Sequence, residues 1–339
     1  MTDRAFCNCM AWAQGLDPVG HAAPIERLLA LEAALPWKRT ALESLPRALQ
    51  PVLEQAKRMS GHIVHAMGLS QLLLMAPDSR ETAVNRRRAL VWERPSTPFA
   101  HFTRREYLLP EETLTDFGYA MSFRPEQLPQ FDGYVVNAGC ALRDFLICTH
   151  GSRDAACGQF GYRLYDKLRR LTASNPQVRI WRSSHFGGHV FAPTMVELPA
   201  GIFWGNLYDD RAEQVLERRG DVTQLRRHYR GWSGAARGFA QAAEREMLMR
   251  EGWRWLDTAR TVQVTAQDPA ERPEWAEVQI AYGKRDGHLP LYTSHVAVSH
   301  YVETLASTGQ TMPRAFAQYV VTPRSEAPTH AASSCEPLR

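Results

Sequence analysis

The chain has 339 residues, 44% of them hydrophobic and 22% charged, which is enough to bury a sizeable core and suggests about two domains. Forty basic against 36 acidic side chains leave a formal charge of +4, too diffuse for a nucleic-acid-binding face, and Arg86–Arg88 and Arg169–Arg170 read as solvated runs. No stretch reaches the ~18 apolar residues of a membrane span, and the N-terminus lacks an apolar core of signal-peptide length. Six cysteines are too few for a disulfide scaffold. The expectation is a soluble, cytoplasmic protein with neither nucleic acid nor membrane as partner.

Residues 1–25 read as loop, with Cys7-Asn8-Cys9 a weak metal signal on its own. The apolar run at 26–36 stops at Pro36 and is expected as a strand. Ser44 is placed to cap a helix with Leu45, Leu49, Val52, Leu53 and Ala56 on one face, which Pro51 would kink or delay. Strands are expected at 68–75, 88–93 and 101–108, so residues 1–125 form an N-terminal α/β domain. Residues 109–140, with Pro110, Pro125 and Pro129, read as a connector, and Cys140 as a small buried residue.

A second domain, 126–320, opens with the apolar strand Asp144-Phe-Leu-Ile-Cys148. Beyond Cys157, Phe160, Leu164, Leu168 and Leu171 fall at helical spacing. Asn175-Pro176 stops that helix, and Val178–Arg182 alternates as a strand. A hairpin follows, with its turn at Pro199-Ala-Gly201. Helices are expected at 209–218 and 236–251, and a meander of strands at 261–266, 277–282 and 291–298. The tail, 321–339, is expected to be disordered, with Cys335 uninvolved. The pattern is α/β (α+β) with a mixed sheet. The first 110 residues echo the order strand, helix, strand, strand, strand, as a degenerate duplicate without ligands would.

Two cysteines and two histidines stand out. Cys148 and Cys157 bracket a loop that carries Gly151, with Gly158 directly after it; His185 and His189 are separated by Phe-Gly-Gly in the loop after the next strand. Two thiolates and two imidazoles can hold tetrahedral Zn²⁺ or a [2Fe–2S] cluster with the cysteines on one iron and the histidines on the other. Zinc fingers use shorter cysteine spacings, so the long loop favours the cluster. Ser183 and Ser184 are placed to hydrogen-bond sulfides or thiolates. Trp181 and Phe186 are candidates for a hydrophobic collar, and Arg182 for a counter-charge. His150 reads as a neighbour of the site rather than a ligand.

The run Phe-Leu-Ile-Cys-Thr-His-Gly-Ser-Arg-Asp-Ala-Ala-Cys-Gly-Gln-Phe-Gly-Tyr, followed by Arg-Ile-Trp-Arg-Ser-Ser-His-Phe-Gly-Gly-His-Val-Phe-Ala-Pro-Thr, resembles the sucrase/ferredoxin-like family. With Asp17-Pro-Val-Gly, the resemblance extends over most of 5–310. It implies a thioredoxin-like [2Fe–2S] ferredoxin domain, with Cys148 and Cys157 on one iron and His185 and His189 on the other. The "sucrase" in that name has no counterpart here, since no carboxylate pair sits in a motif suited to glycoside hydrolysis. The implied function is one-electron transfer between donor and acceptor proteins, with Arg163, Arg169 and Arg170 as candidates for docking. A stand-alone reductase of ferric chelates or thiols, a redox or iron sensor, and a zinc-stabilised adaptor are the alternatives. Neither a Gly-x-Gly-x-x-Gly after a strand nor a Cys-x-x-Cys is present.

Overall fold

The computed structural model describes residues 6–136, 142–208, 210–283 and 290–328. Cys140, Cys335 and the tail beyond 328 lie outside them. The elements in order are α1 (Cys7–Ala13), β1 (Arg27–Glu32), α2 (Gln50–Met59), α3 (Ile63–Ala66), β2 (Gln71–Met75), β3 (Arg86–Glu93), β4 (Thr103–Pro110) and α4 (Leu114–Phe123). There follow β5 (Arg143–Cys148), α5 (Tyr162–Leu171), β6 (Val178–Ser183), β7 (Met195–Leu198), β8 (Ile202–Trp204), α6 (Arg211–Glu217), β9 (Tyr229–Trp232) and α7 (Phe239–Glu251). The chain closes with β10 (Arg260–Gln267), β11 (Trp275–Tyr282), β12 (Pro290–Leu305) and β13 (Pro313–Pro328).

The first nine strands form one mixed sheet in the order β4-β3-β1-β2-β6-β5-β7-β8-β9. In the first half β1 runs parallel to β2 and antiparallel to β3, which pairs antiparallel with β4. In the second half β5 runs parallel to β6 and antiparallel to β7, which pairs antiparallel with β8. The topology of the two halves is therefore the same, as the echo in the sequence suggested. They meet where β2 and β6 come together antiparallel at Met75 and Ser183.

Strand alternation explains how the halves share a core. Leu29 and Leu31 of β1 face a cluster with Val52, Leu53, Phe117 and Met121 of α2 and α4. Leu28 and Ala30 face the other way, into the large cluster that also holds Phe145, Ile147, Trp204 and Met247. The boundary expected at 125/126 thus lies between halves joined by one sheet and one core. The sheet curls enough for Arg104 Nε on β4 to reach Asp144 Oδ2 on β5 at 3.0 Å. Asp144 also accepts from Arg179 Nε and Trp181 Nε1, both at 2.8 Å. Burial alone would raise its pKa, but Arg179 and Arg104 outweigh that and hold it below the ordinary carboxylate value. The strand that delivers Cys148 is anchored at its start by this buried network.

Strands β10–β13 form a second, antiparallel sheet, and α7 packs against both it and β9. Accordingly α7 is buried on all sides, with Glu244 beside Arg260 at 2.9 Å.

Four expectations change. Residues 7–13, expected as loop, form α1, whose buried Asn8 donates to the Ala192 carbonyl at 2.9 Å; so short a helix depends on such packing. The expected connector contains α4, whose Leu114, Phe117 and Met121 are apolar at helical spacing and buried. Ser44 does not cap α2: its hydroxyl accepts from Lys38 N at 2.7 Å, and the helix starts at Gln50 with Pro51 in its first turn, where its missing N–H does no harm. The tail expected to be disordered from 321 is strand up to Pro328, because its backbone pairs with β12 as far as Pro290.

Candidate metal centre

The parallel strands β5 and β6 end side by side, with Cys148 paired to Ser183. Cys148 closes β5, and the segments that leave the two strand ends carry Cys157, His185 and His189. After β5 the chain loops and re-enters a helix through a π-helical turn, Cys157–Gly161, that runs into α5. Wide turns of this kind recur at functional sites because they re-aim side chains. Closing the loop needs two glycines: a Cβ on Gly158 would lie 2.7 Å from the Gly151 Cα.

Cys148 and Cys157 are each 1% exposed, whereas His185 and His189 are half-buried. His185 Nδ1 lies 3.6 Å from Cys148 Sγ and 3.7 Å from Cys157 Sγ. The three ligand atoms are all within 4.8 Å of one another, the only such group among the described residues. The His189 ring stacks on His185 at 5.0 Å between centroids and 26° between planes. Its Nδ1 is buried and has no hydrogen-bond partner among the described residues. Unpartnered buried nitrogen is costly, and a metal would satisfy it. The donor set therefore fits a metal centre: two thiols inside, two imidazoles toward solvent.

The thiols are matched as a proton-sharing pair. Burial alone would raise the pKa of Cys148, but hydrogen bonds with Cys157 and His185 hold it well below the usual thiol value. Cys157, hydrogen-bonded to Cys148 and buried against it, is pushed well above. The proton of the pair is thus favoured on Cys157 and the negative charge on Cys148, the direction that metal binding requires.

The surrounding residues are more specific than spacing could indicate. His150 is buried rather than on the surface. Its Nε2 lies 2.8 Å from the Lys38 carbonyl and so must donate; its Nδ1 accepts from the His185 N–H at 3.2 Å. His150 therefore positions His185. Ser183 and Ser184 bond backbone instead of sulfur: Ser183 Oγ donates to the Ser184 carbonyl, and Ser184 Oγ accepts from Leu74 N. Trp181 points into the Asp144 network, and Arg182 lies over Tyr162 at 5.1 Å. Phe186 packs on Phe203. Arg169 and Arg170 are tied to Asp78 and Asp166.

Of three further neighbours, Cys7 carried only a weak sequence signal and Asp154 and Arg230 were given no role. Asp154, 5% exposed, accepts from Ser307 Oγ at 2.7 Å and Thr308 N at 2.9 Å, clasping the cysteine loop to the tip of the β12–β13 hairpin. Cys7 is fully buried, receives the Thr308 hydroxyl at 3.3 Å and lies 3.7 Å from the His189 carbonyl. Burial raises its pKa to about 11, so it stays a thiol. Arg230, 1% exposed, donates to the carbonyls of Gly187 and His21. Gly188, at φ +77°, lies against its guanidinium with no room for a Cβ. Cys9 is exposed. In the first half, the position of Cys148 at the strand end is held by Glu32, buried and bonded by Thr82 Oγ1 and Arg88 N.

The model of the sucrase/ferredoxin-like family matches residues 18–231, more than half of the chain. The chain belongs to the sucrase/ferredoxin-like family. All four candidate ligands fall inside the match, as does Arg230. The match is narrower than the 5–310 suggested by the sequence; α1 with Cys7 and the hairpin tip with Ser307 and Thr308 lie outside it. Over 100 residues the chain is 28% identical to "Altered inheritance of mitochondria protein 32" of Meyerozyma guilliermondii. That similarity covers 27% of this sucrase/ferredoxin-like chain and 35% of the relative. No solved structure matches it significantly. Among the described residues, no helix is long and apolar enough to cross a membrane.

Proposed function

We propose that this protein is an iron–sulfur electron carrier, with Cys148 and Cys157 holding one iron of a [2Fe–2S] cluster and His185 and His189 the other. The observation that carries the reading is the convergence of two buried thiols with an imidazole within 4.8 Å, and a second imidazole stacked upon it. When bound, such a cluster supplies one-electron exchange. The chain's own residues do the rest. The β5 and β6 ends fix the ligand positions, and His150 orients His185. The half-exposed histidines give electrons a short route to a partner, while the cysteine side stays dry. The repeated strand order, helix-linked parallel pair flanked by antiparallel strands, supports a thioredoxin-like unit. A cytoplasmic setting and donor and acceptor proteins as partners belong to the same reading.

Neutral imidazoles in place of two thiolates make the centre less negative, so its potential should lie well above the roughly −400 mV of plant-type ferredoxins, toward the roughly −150 to +300 mV of Rieske centres. It should also fall as pH rises, through proton uptake at histidine. A second reading, a single Zn²⁺ held by Cys148, Cys157 and His185, is favoured by how closely those three atoms already approach. Metal and sulfide analysis with a visible spectrum separates the two. Iron and sulfide in equal amounts are expected, with His185→Cys lowering the potential; stoichiometric zinc without iron would sink the proposal.

A further inference from the structure

A cavity of about 360 Å³ opens beside the histidine loop. Five guanidiniums line it: Arg39, Arg153, Arg230, Arg237 and Arg314. They come from separate parts of the chain: the segment after β1, the cysteine loop, β9, the turn before α7, and β13. No aspartate or glutamate lines the cavity. Among the described residues, none of the five has a carboxylate within ion-pair distance.

For the buried Arg230 that is unusual within this molecule. The other buried arginines, Arg88, Arg179, Arg245 and Arg260, all lie beside carboxylates. Arg230 is as buried as they are but meets two carbonyls and the Phe191 and Phe203 rings instead of a carboxylate; its Nε is without a hydrogen-bond partner among the described residues, as is at least one nitrogen on each of the other four. His21 Nε2, in the same cavity wall, is buried and unpartnered as well. The nearby carboxylates are engaged elsewhere: Asp17 by Arg245, and Asp154 by Ser307 and Thr308. Positive charge is dense enough to be felt at the floor. Burial, then Arg230, Arg237 and Arg314, lower the pKa of His21 to about 4. A buried guanidinium ringed at the cavity mouth by four exposed ones, with no internal counter-charge, is a site suited to an anion. The cysteines of the candidate centre offset part of the charge on Arg230, but they do not account for four more arginines at the rim.

We propose that this cavity binds a small polyanion, a molecule carrying two or more phosphate or carboxylate groups, held between Arg230 at the floor and Arg153, Arg237 and Arg314 at the rim. The forked guanidinium suits both groups, and the volume suits a compact metabolite rather than a chain segment. Bound there, the anion lies against His189, so a substrate or regulator would meet the candidate centre on its solvent side. The inference does not depend on which metal that centre holds.

The test is calorimetric titration of the full-length protein with inorganic pyrophosphate and, separately, citrate, at constant ionic strength near 150 mM. Saturable binding of one or both at a single site is expected. Pyrophosphate alone would identify a phosphate ligand, citrate alone a polycarboxylate, and both the shared chemistry. Arg237→Ala and Arg314→Ala should each weaken binding by about tenfold, and the pair by about a hundredfold. Arg58→Ala, exposed on α2 in the first half, should leave it unchanged. All three positions are exposed, and thermal melting checks that the variants stay folded. The proposal is overturned if neither anion binds, if the double variant binds as well as the parent, or if only an acidic peptide binds, which would make this face a protein-docking surface.

Discussion

Replacing Asp154 by asparagine tests how the roof over the candidate centre is held. The Asp154 carboxylate accepts three hydrogen bonds: Oδ2 from Ser307 Oγ (2.7 Å) and Thr308 N (2.9 Å), and Oδ1 from Ala156 N (2.9 Å). Asparagine keeps one acceptor oxygen and turns its amino group, a donor, toward donors on the other side. Either orientation loses at least one bond to a charged acceptor, and one orientation loses two. At about 1.5–3 kcal/mol each for a carboxylate that is almost fully buried, the expected loss is about 2–4 kcal/mol. Urea unfolding of the full-length protein measures it. Amide exchange at Thr308 should rise in parallel, because its N–H has lost its acceptor. Ser307→Ala removes only one bond and should cost about 1–2 kcal/mol, leaving Thr308 protected. A loss below about 0.5 kcal/mol for Asp154→Asn, with exchange at Thr308 unchanged, would refute the clasp.

Two further outcomes are expected. Arg260 is fully buried between the Trp232 ring (4.0 Å) and the Trp255 ring (5.1 Å), beside Glu244. Arg260→Leu should destabilise by about 3–5 kcal/mol by leaving Glu244 buried and unpaired, and Glu244→Gln in the same chain should recover much of that in a double-mutant cycle. His21, whose pKa falls from 6.5 to about 4 on folding, binds a proton more readily in the unfolded chain. Its contribution is therefore intact above pH 6.5 and is lost progressively as pH falls toward 4, by about 1–2 kcal/mol between pH 7 and pH 5. Unfolding curves at the two pH values, parent against His21→Phe, should differ by that amount; equal pH dependence would contradict it.

Much of the site's framework was legible because local signals coincide there. An apolar strand stops at Cys148, a second stops before His185, and glycines mark both loops, so the donors were traceable to neighbouring strand ends. The same local logic placed β1, β3, α5 and the β7–β8 hairpin. It failed where structure depends on distant partners. The helix α1 exists because Asn8 reaches Ala192, and β13 because β12 runs alongside it. Ser307 and Asp154 are 153 positions apart, and no pattern in the sequence joins them. The overlooked α4 is different: Leu114, Phe117 and Met121 already carried the helical period, and the flanking prolines masked it. His150 read as either a hydrogen-bonding neighbour of the ligands or a plain surface group, and only the fold shows its two ring nitrogens meeting a carbonyl and the His185 amide.

The repeated topology has a consequence of symmetry. Glu32 and Met75 close the parallel pair of the first half, Cys148 and Ser183 close that of the second, and Met75 pairs antiparallel with Ser183. An approximate twofold axis therefore passes between β2 and β6, and rotation about it carries the Cys148 position onto Glu32. Two separate copies of a half-length chain, joined edge to edge, would build the same nine-stranded core less one strand, with a donor pair at each end. In the fused chain one end has exchanged its thiol for a carboxylate tied to Thr82 and Arg88. The molecule is a pseudo-dimer with one furnished and one blank socket, and the blank half serves as the fixed wall against which the other is braced.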